Sequence, residues 1–274
     1  MNLRRRTVLA LPLLGLARPG WAADRADISR EVLLTWHKLI LELVRHTATY
    51  TPPVAARAFA YVGITAHEAL ASGNAGLISL AGQVTDLAAL PAREAGAHDE
   101  PCVLHAALQA AVAEMFYNTG PTGQRAMEAM GRKLGETASA GIDSAVVDRS
   151  VAHGKAVADH ILAWSRVDGG AVIDNMGFPM AYTPGTRPQD WVPTNLIRLQ
   201  QAPLLPGWAK NRPFAMPSAD AADPGPHPDY DEAPGSDFHA AALEVYETGR
   251  TLTDEQKLIA RFWSDDPMLT PTPA

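Results

Sequence analysis

Cysteine is almost missing from this sequence: its 274 residues hold one, Cys102. A lone thiol excludes an intrachain disulfide and any C-x-x-C redox or zinc-ribbon pair, so stability has to come from a packed core. Val103, Leu104, Ala106, Ala107 and Leu108 follow it. That neighbourhood marks Cys102 as a small buried hydrophobe rather than a reactive thiol. Long apolar runs are lacking too, and no segment suffices for an integral membrane span. There is no phosphate-cradling glycine loop and no Gly-x-Ser-x-Gly, which removes the P-loop and nucleophile-elbow chemistries. No strand pattern stands out, and no internal repeat. Cations are outnumbered, 23 Lys and Arg against 30 Asp and Glu, for a formal net charge of −7. An acidic surface argues against nucleic acid and anionic membranes as partners.

What is present begins with a targeting segment over residues 1–22. Arg4, Arg5 and Arg6 form a basic start, Thr7 to Leu16 a short apolar run, and Gly20-Trp21-Ala22 small residues for cleavage after Ala22. Arg5-Arg6-Thr7-Val8-Leu9 fits a twin-arginine signal, with a general secretory signal as the alternative. Either one predicts a periplasmic or secreted protein. Cleavage would remove four arginines and no acids, taking the net charge from −7 to −11.

Residues 23–170 read as an all-α helical bundle. Asp27 is a candidate cap for a first helix whose Ile28, Val32, Trp36, Ile40 and Leu43 recur at helical spacing. Thr51-Pro52-Pro53 opens a second, Ala-rich helix to about Ala71, with prolines where no amide is missed. Arg57, His67 and Glu68 are its ionisable residues, so it reads as the central helix, with Arg57 and Glu68 each needing a partner. Further helices are predicted over about 100–117, 122–134 and 144–166. Asp168-Gly169-Gly170 ends the last of these with a left-handed glycine.

The composition then shifts. Twelve of the 22 prolines fall between Pro179 and Pro234, interleaved with Phe178, Tyr182, Trp191, Trp208 and Phe214. Disordered linkers are poor in aromatics, so residues 171–237 read as an ordered loop lying across the helices. A flexible insert is the competing reading, best suited to 218–235. Residues 238–274 read as a helical hairpin, near 238–248 and 254–264. Thr253 and Gln256 form a capping box on its second arm, and Asp265-Asp266-Pro267 ends that arm.

Several constellations have the residue types of a site. His153 and His160, and likewise His98 and His105, stand seven apart on a helix. Zinc favours a four-residue step, and no third ligand accompanies them, so they read as core or surface histidines. His227, Asp229, Asp231 and Glu232 make an acidic loop without the glycine or spacing of a calcium loop. Lys210-Asn211-Arg212-Pro213 reads as a turn whose cations face water or a carboxylate.

An ordered set of short pieces resembles bacterial vanadium-dependent haloperoxidases and their type 2 phosphatidic acid phosphatase relatives. The pieces are Thr51-Pro52-Pro53 with Arg57 and Ala60, His67-Glu68-Ala69, Gly154, Ala158, Trp164 and Asp168-Gly169. Trp191-Val192-Pro193-Thr194, Pro206-Gly207-Trp208, Pro213-Phe214 and Gln256 to Trp263 complete it. The resemblance implies an all-helical fold and, for the full-length family, vanadate as cofactor, with halide oxidation by peroxide or phosphate-ester hydrolysis as the reaction. Such proteins hold the oxyanion with a Lys followed seven positions later by Arg-Pro, a Ser-Gly-His, and an Arg followed seven positions later by His. Fixed guanidinium and ammonium donors are what a compact oxyanion needs. Ser-Gly-His is absent, and the set does not stand here in order. Lys38 and Arg45 have the first spacing, but His46 replaces the proline, and Arg30 and His37 have the third spacing on the same first helix. Both read as a solvated flank. No catalytic, cofactor-binding or metal residue is therefore assigned. The expectation is a truncated N-terminal helical half, inactive alone, whose partner is the missing catalytic half or another copy meeting it through uncovered apolar faces. The competing readings are a non-catalytic helical partner module, and an unrelated hydrolase using His153/His160 or the acidic loop.

Overall fold

The computed structural model describes residues 19–171, 182–193 and 202–264. All regular structure among them is helical. They divide into two units, one taking in the described residues up to 183 and those of 192–221, the other 184–191 and those from 222 onward.

The first unit is a five-helix assembly around α3. Helix α1 runs Pro19–Arg45, and Val32, Trp36, Ile40 and Leu43 bury its inner face at the expected spacing. It starts earlier than expected, and Asp27 lies inside it rather than capping it. The physical reason is local: Trp21 to Ala26 contain three alanines and no Gly or Pro, so nothing stops the helix there. Residues 1–18, which carry most of the expected targeting segment, lie outside the described residues. Helix α2 spans Pro52–Ala71, with Thr51 at its N-cap and two prolines in its first turn.

Helix α3, Glu100–Met115, is the true centre, a correction to the reading that gave this place to α2. It packs against α1, α2, α4 (Gly120–Ser139) and α5 (Ser144–Ser165). Every residue from Pro101 to Leu108 is buried. Helix α2 misleads because the positions it turns to water, Pro52, Pro53, Ala56 and Gly63, are small and apolar. Exposed small apolar residues cost little and leave no polar stripe in the sequence. Asp99 caps α3 by accepting from the Cys102 amide at 3.1 Å, and Asp143 caps α5 by accepting from Ala145 at 3.0 Å. Helix α4 continues five residues past Leu134, through Gly135, where an added Cβ would lie 3.2 Å from His105 Nε2. Cys102 is buried, and its thiol donates to the Ala138 carbonyl at 3.3 Å. Burial first, then the Asp99 carboxylate, pushes that thiol up to about 12, far from a reactive thiolate.

Helix α5 meets α3 at Gly154, where an added Cβ would lie 2.4 Å from the Val103 carbonyl oxygen. The proline-rich region joins this unit through Leu205, Trp208 and Phe214, which pack on the core. The Thr85 amide donates to the Phe214 carbonyl at 2.8 Å, and the Arg212 amide to the Asp168 carbonyl at 2.7 Å. Those bonds agree with an ordered loop over 202–214. Tyr182 and Trp191 are exposed instead, and Phe178 lies outside the described residues.

The second unit carries α6, Asp237–Thr251, and α7, Asp254–Phe262. Ser236 caps α6, and Thr253 with Gln256 forms the expected capping box on α7. Neither helix has a buried residue. Leu258, Ile259, Phe262 and Trp263 are each more than half exposed, so α7 presents an apolar face without cover among the described residues.

Candidate functional site

The densest buried polar group of the first unit is built on α2. Arg57 and Tyr61 stand four apart and therefore share a face, which α2 turns toward the end of α5. There Asp168 sits in the turn after α5, which Gly169 completes at φ +95°. Arg57 grips Asp168 in a fork, Nε to Oδ2 at 2.7 Å and Nη2 to Oδ1 at 3.1 Å. The Tyr61 hydroxyl donates to Oδ2 at 2.7 Å and the Gly170 amide to Oδ1 at 2.7 Å. Four donors thus saturate a carboxylate that is only 5% exposed. Gly170 must be glycine, since a Cβ there would fall 2.7 Å from Arg57 Cδ.

Arg212 closes the group from the proline-rich loop. Its guanidinium lies 4.6 Å from the Trp164 ring centroid, and Nη2 donates to the Trp164 carbonyl at 2.8 Å and to the Tyr61 oxygen at 3.4 Å. Tyr61, Trp164 and Phe214 meet edge-on or tilted, with centroids 5.2 to 5.5 Å apart. Above them Pro53, Ala56, Trp208 and Asn211 complete an open cleft. Burial, and then the Asp168 carboxylate, raises the Tyr61 phenol well above its ordinary value. A phenol so held is no base or nucleophile at neutral pH. Asp168 has no lone pair left for a substrate. The cleft also fails the requirements of an oxyanion: Arg57 is committed to Asp168 and the Ser165 carbonyl, and a carboxylate sits beside it. We derive no vanadate chemistry from these residues.

Sequence reasoning marked Arg57 and Glu68 as buried charges in need of partners. Glu68 finds them in Ser79 Oγ at 2.8 Å and the Leu80 amide at 2.6 Å. It did not find the role of Asp168, read there as part of a helix stop and of a piece that carries the resemblance. It also assigned Arg212 to water or a carboxylate, whereas Arg212 packs on Trp164 and donates to a carbonyl and a phenol.

The seven-apart histidine pairs do not converge. His153 bonds Ser72 Oγ at 2.9 Å, while His160 faces the Ala88 carbonyl at 3.2 Å. His105 accepts from Trp36 Nε1 at 3.4 Å, and His98 reaches the Gly96 carbonyl at 3.1 Å. In the acidic loop, Asp231 accepts from the Ala233 amide and Glu232 from the Tyr230 hydroxyl. Among the described residues no three His, Cys, Asp or Glu side chains are grouped to hold a metal. Arg30, Lys38 and Arg45 of α1 and His46 just after it are exposed, as a solvated flank requires, while His37 is half-buried with Nδ1 2.9 Å from the Leu33 carbonyl. Among the described residues no helix is long and apolar enough to cross a membrane.

The fold and its sequence pieces together support the haloperoxidase-like superfamily. The solved structure that carries this is one described as the first bacterial vanadium-dependent iodoperoxidase, with 29% sequence identity and a TM-score of 0.62. The match covers 86% of this chain and 55% of that one, so the chain spans about half the length of the structure it matches. No protein-family model and no curated protein matches the chain.

Proposed function

We propose that these residues serve as the helical scaffold of a vanadium haloperoxidase-like enzyme and that the oxyanion-binding donors are supplied by sequence other than theirs. One observation carries this: most of the chain matches about half of an iodoperoxidase, yet the Lys…Arg-Pro, Ser-Gly-His and Arg…His set stands nowhere in it. The pairs Arg57–Asp168 and Arg93–Glu100 and the closed Glu68 fit the same role. The apolar face of α7, with Leu258, Ile259, Phe262 and Trp263, is then the surface on which the oxyanion-binding portion, or a second copy in its absence, packs. We further propose export, on the strength of the arginine-led start over residues 1–22.

The test uses the 274-residue chain with orthovanadate, peroxide and iodide. Vanadium NMR reads binding, and triiodide absorbance reads turnover. The expected result is no saturable binding and no turnover above free vanadate. Turnover that follows the protein and vanishes when vanadate is removed overturns the scaffold reading. Phosphate-ester hydrolysis is the second reaction of this superfamily, and a chromogenic phosphate ester in the same assay reads it.

A further inference from the structure

A second polar cluster is built on other residues than the Arg57–Asp168 group. It ties the irregular connection 73–99, between α2 and α3, down onto α5. Ser72 ends α2 and donates its hydroxyl proton to the Ala69 carbonyl at 2.7 Å. The same oxygen accepts from Arg93 Nε at 3.1 Å and pairs with His153 Nε2 at 2.9 Å. With the only hydroxyl proton already spent, the His153 nitrogen has to be the donor, which fixes the Nε2–H tautomer. A hydroxyl so saturated is no nucleophile, so the Ser72–His153 pair is not a hydrolase dyad. The ring of His98, on the connection, stands edge-on to His153 with centroids 5.7 Å apart. His98 Nδ1 faces the Gly96 carbonyl at 3.1 Å, while Nε2 is buried without a hydrogen-bond partner.

We propose that the His98–His153 contact is an acid-sensitive latch, holding the connection 73–99 on α5 near neutral pH and releasing it as the His153 imidazole gains a proton. The charges around it set the sign. From the connection come Arg93 and His98, from the start of α3 comes Glu100, and from α5 comes Arg149, which donates to the Ala97 carbonyl. Arg25 of α1 is paired with Asp99 beside them. Glu100 is the nearby anion, and both its oxygens are taken by Arg93, at 2.8 and 3.2 Å. A proton on His153 would therefore meet a guanidinium beside the one carboxylate already in use. Burial first, then Arg93 and His98, holds His153 below its ordinary 6.5, with Glu100 working the other way. A base held down in the folded state binds fewer protons than in the open one. Its contribution to closure is thus complete above about pH 6.5 and lost as the pH falls below it. The connection also carries Leu87 in the core and Thr85, whose carbonyl accepts from Trp164 Nε1 at 3.0 Å. Its release would loosen the Phe214 anchor that Thr85 holds.

Hydrogen exchange read by mass spectrometry on the full chain, at pH 7.5 and pH 5.0 and corrected for intrinsic rates, tests the latch. Peptides from 73–99 should lose protection on acidification, the direction that a base held down in the folded state requires. His153→Gln keeps a side-chain donor for Ser72 without titrating, and should abolish most of that change. His98→Gln, on the outer connection, should do the same and serves if His153→Gln does not fold. Unchanged protection of 73–99 in the wild type overturns the latch. So does an acid response that persists in the variants, which would place the titration elsewhere, as at His105.

Discussion

Removing the Asp168 carboxylate should cost more stability than any surface change in this chain. In Asp168→Ala, Arg57 keeps a guanidinium only 13% exposed with no counter-charge, and the Tyr61 hydroxyl and Gly170 amide lose their acceptor. Breaking one partner out of a buried, hydrogen-bonded pair typically costs about 3–5 kcal/mol, because the survivor stays buried and unpaired. Arg57→Met removes the charge from the other side and strands Asp168 with two neutral donors. The double variant Arg57→Met/Asp168→Ala leaves neither charge behind, so its loss should fall short of the summed single losses by roughly 2 kcal/mol or more. Urea unfolding at pH 7.5, followed by circular dichroism, reads all four proteins in one cycle. Single losses below about 1 kcal/mol, or additivity within about 0.5 kcal/mol, would refute the reasoning and mean that water already shares this pair.

Two other outcomes follow from the core. His105 is buried beside Trp36, and burial holds it down at about 4, against weaker opposition from Gly131 and Gln109. Because the folded value lies below the unfolded one, its contribution is full above about pH 6.5 and lost between there and pH 4, roughly 3 kcal/mol in all. His105→Gln should flatten that slope in urea midpoints taken from pH 7.5 to 4.5, and an unchanged slope contradicts it. Gly154→Ala should lower the melting temperature although alanine is the better helix former. Its methyl would meet the Val103 carbonyl at 2.4 Å and the Ala107 amide nitrogen at 3.1 Å, backbone atoms that cannot step aside. Overpacking of this kind costs about 1–3 kcal/mol against a propensity gain near 1 kcal/mol, and a raised melting temperature would reverse the sign of the argument.

The parts of this fold that were legible are those that local chemistry determines. The Thr51-Pro52-Pro53 start, the capping box at Thr253 and Gln256, and the glycine turn after α5 are each written within a few residues. So is the burial of Cys102, from its apolar neighbours. Helix starts without a cap are not written in that way, and the unmarked start of α1 moved from Asp27 to Pro19 for that reason. Pairings across the chain were not legible either. Arg57 announced that it needed a partner, but its partner is 111 residues away, and the helix stop and resemblance piece that contain Asp168 do not pair it with Arg57. Nothing near Asp168 distinguishes a buried carboxylate from a solvated one. Arg212 reads as a surface cation until Trp164 is brought beneath it.

That pattern of pairing bears on function. A site that binds and transforms an anion keeps cationic donors in reserve, aimed at a place where charge will arrive. The buried or half-buried groups Asp168, Arg57, Glu68 and Arg93 of the first unit are spent instead. Asp168 has four donors, Glu68 is closed by Ser79 and Leu80, and Arg93 is divided between Glu100 and Ser72. In each case the bond fastens an irregular segment to a helix: the turn after α5 and the 202–214 loop at Asp168, the 73–99 connection at Glu68 and Ser72. Satisfied networks of this sort fix one arrangement of loops and stiffen it. The reserve here lies in apolar surface on α7, where exposed Phe262 and Trp263 can gain only by being covered. Paired buried polar groups in the first unit and an uncovered apolar face on α7 of the second are the two observations that favour the proposed scaffold role over a complete anion site.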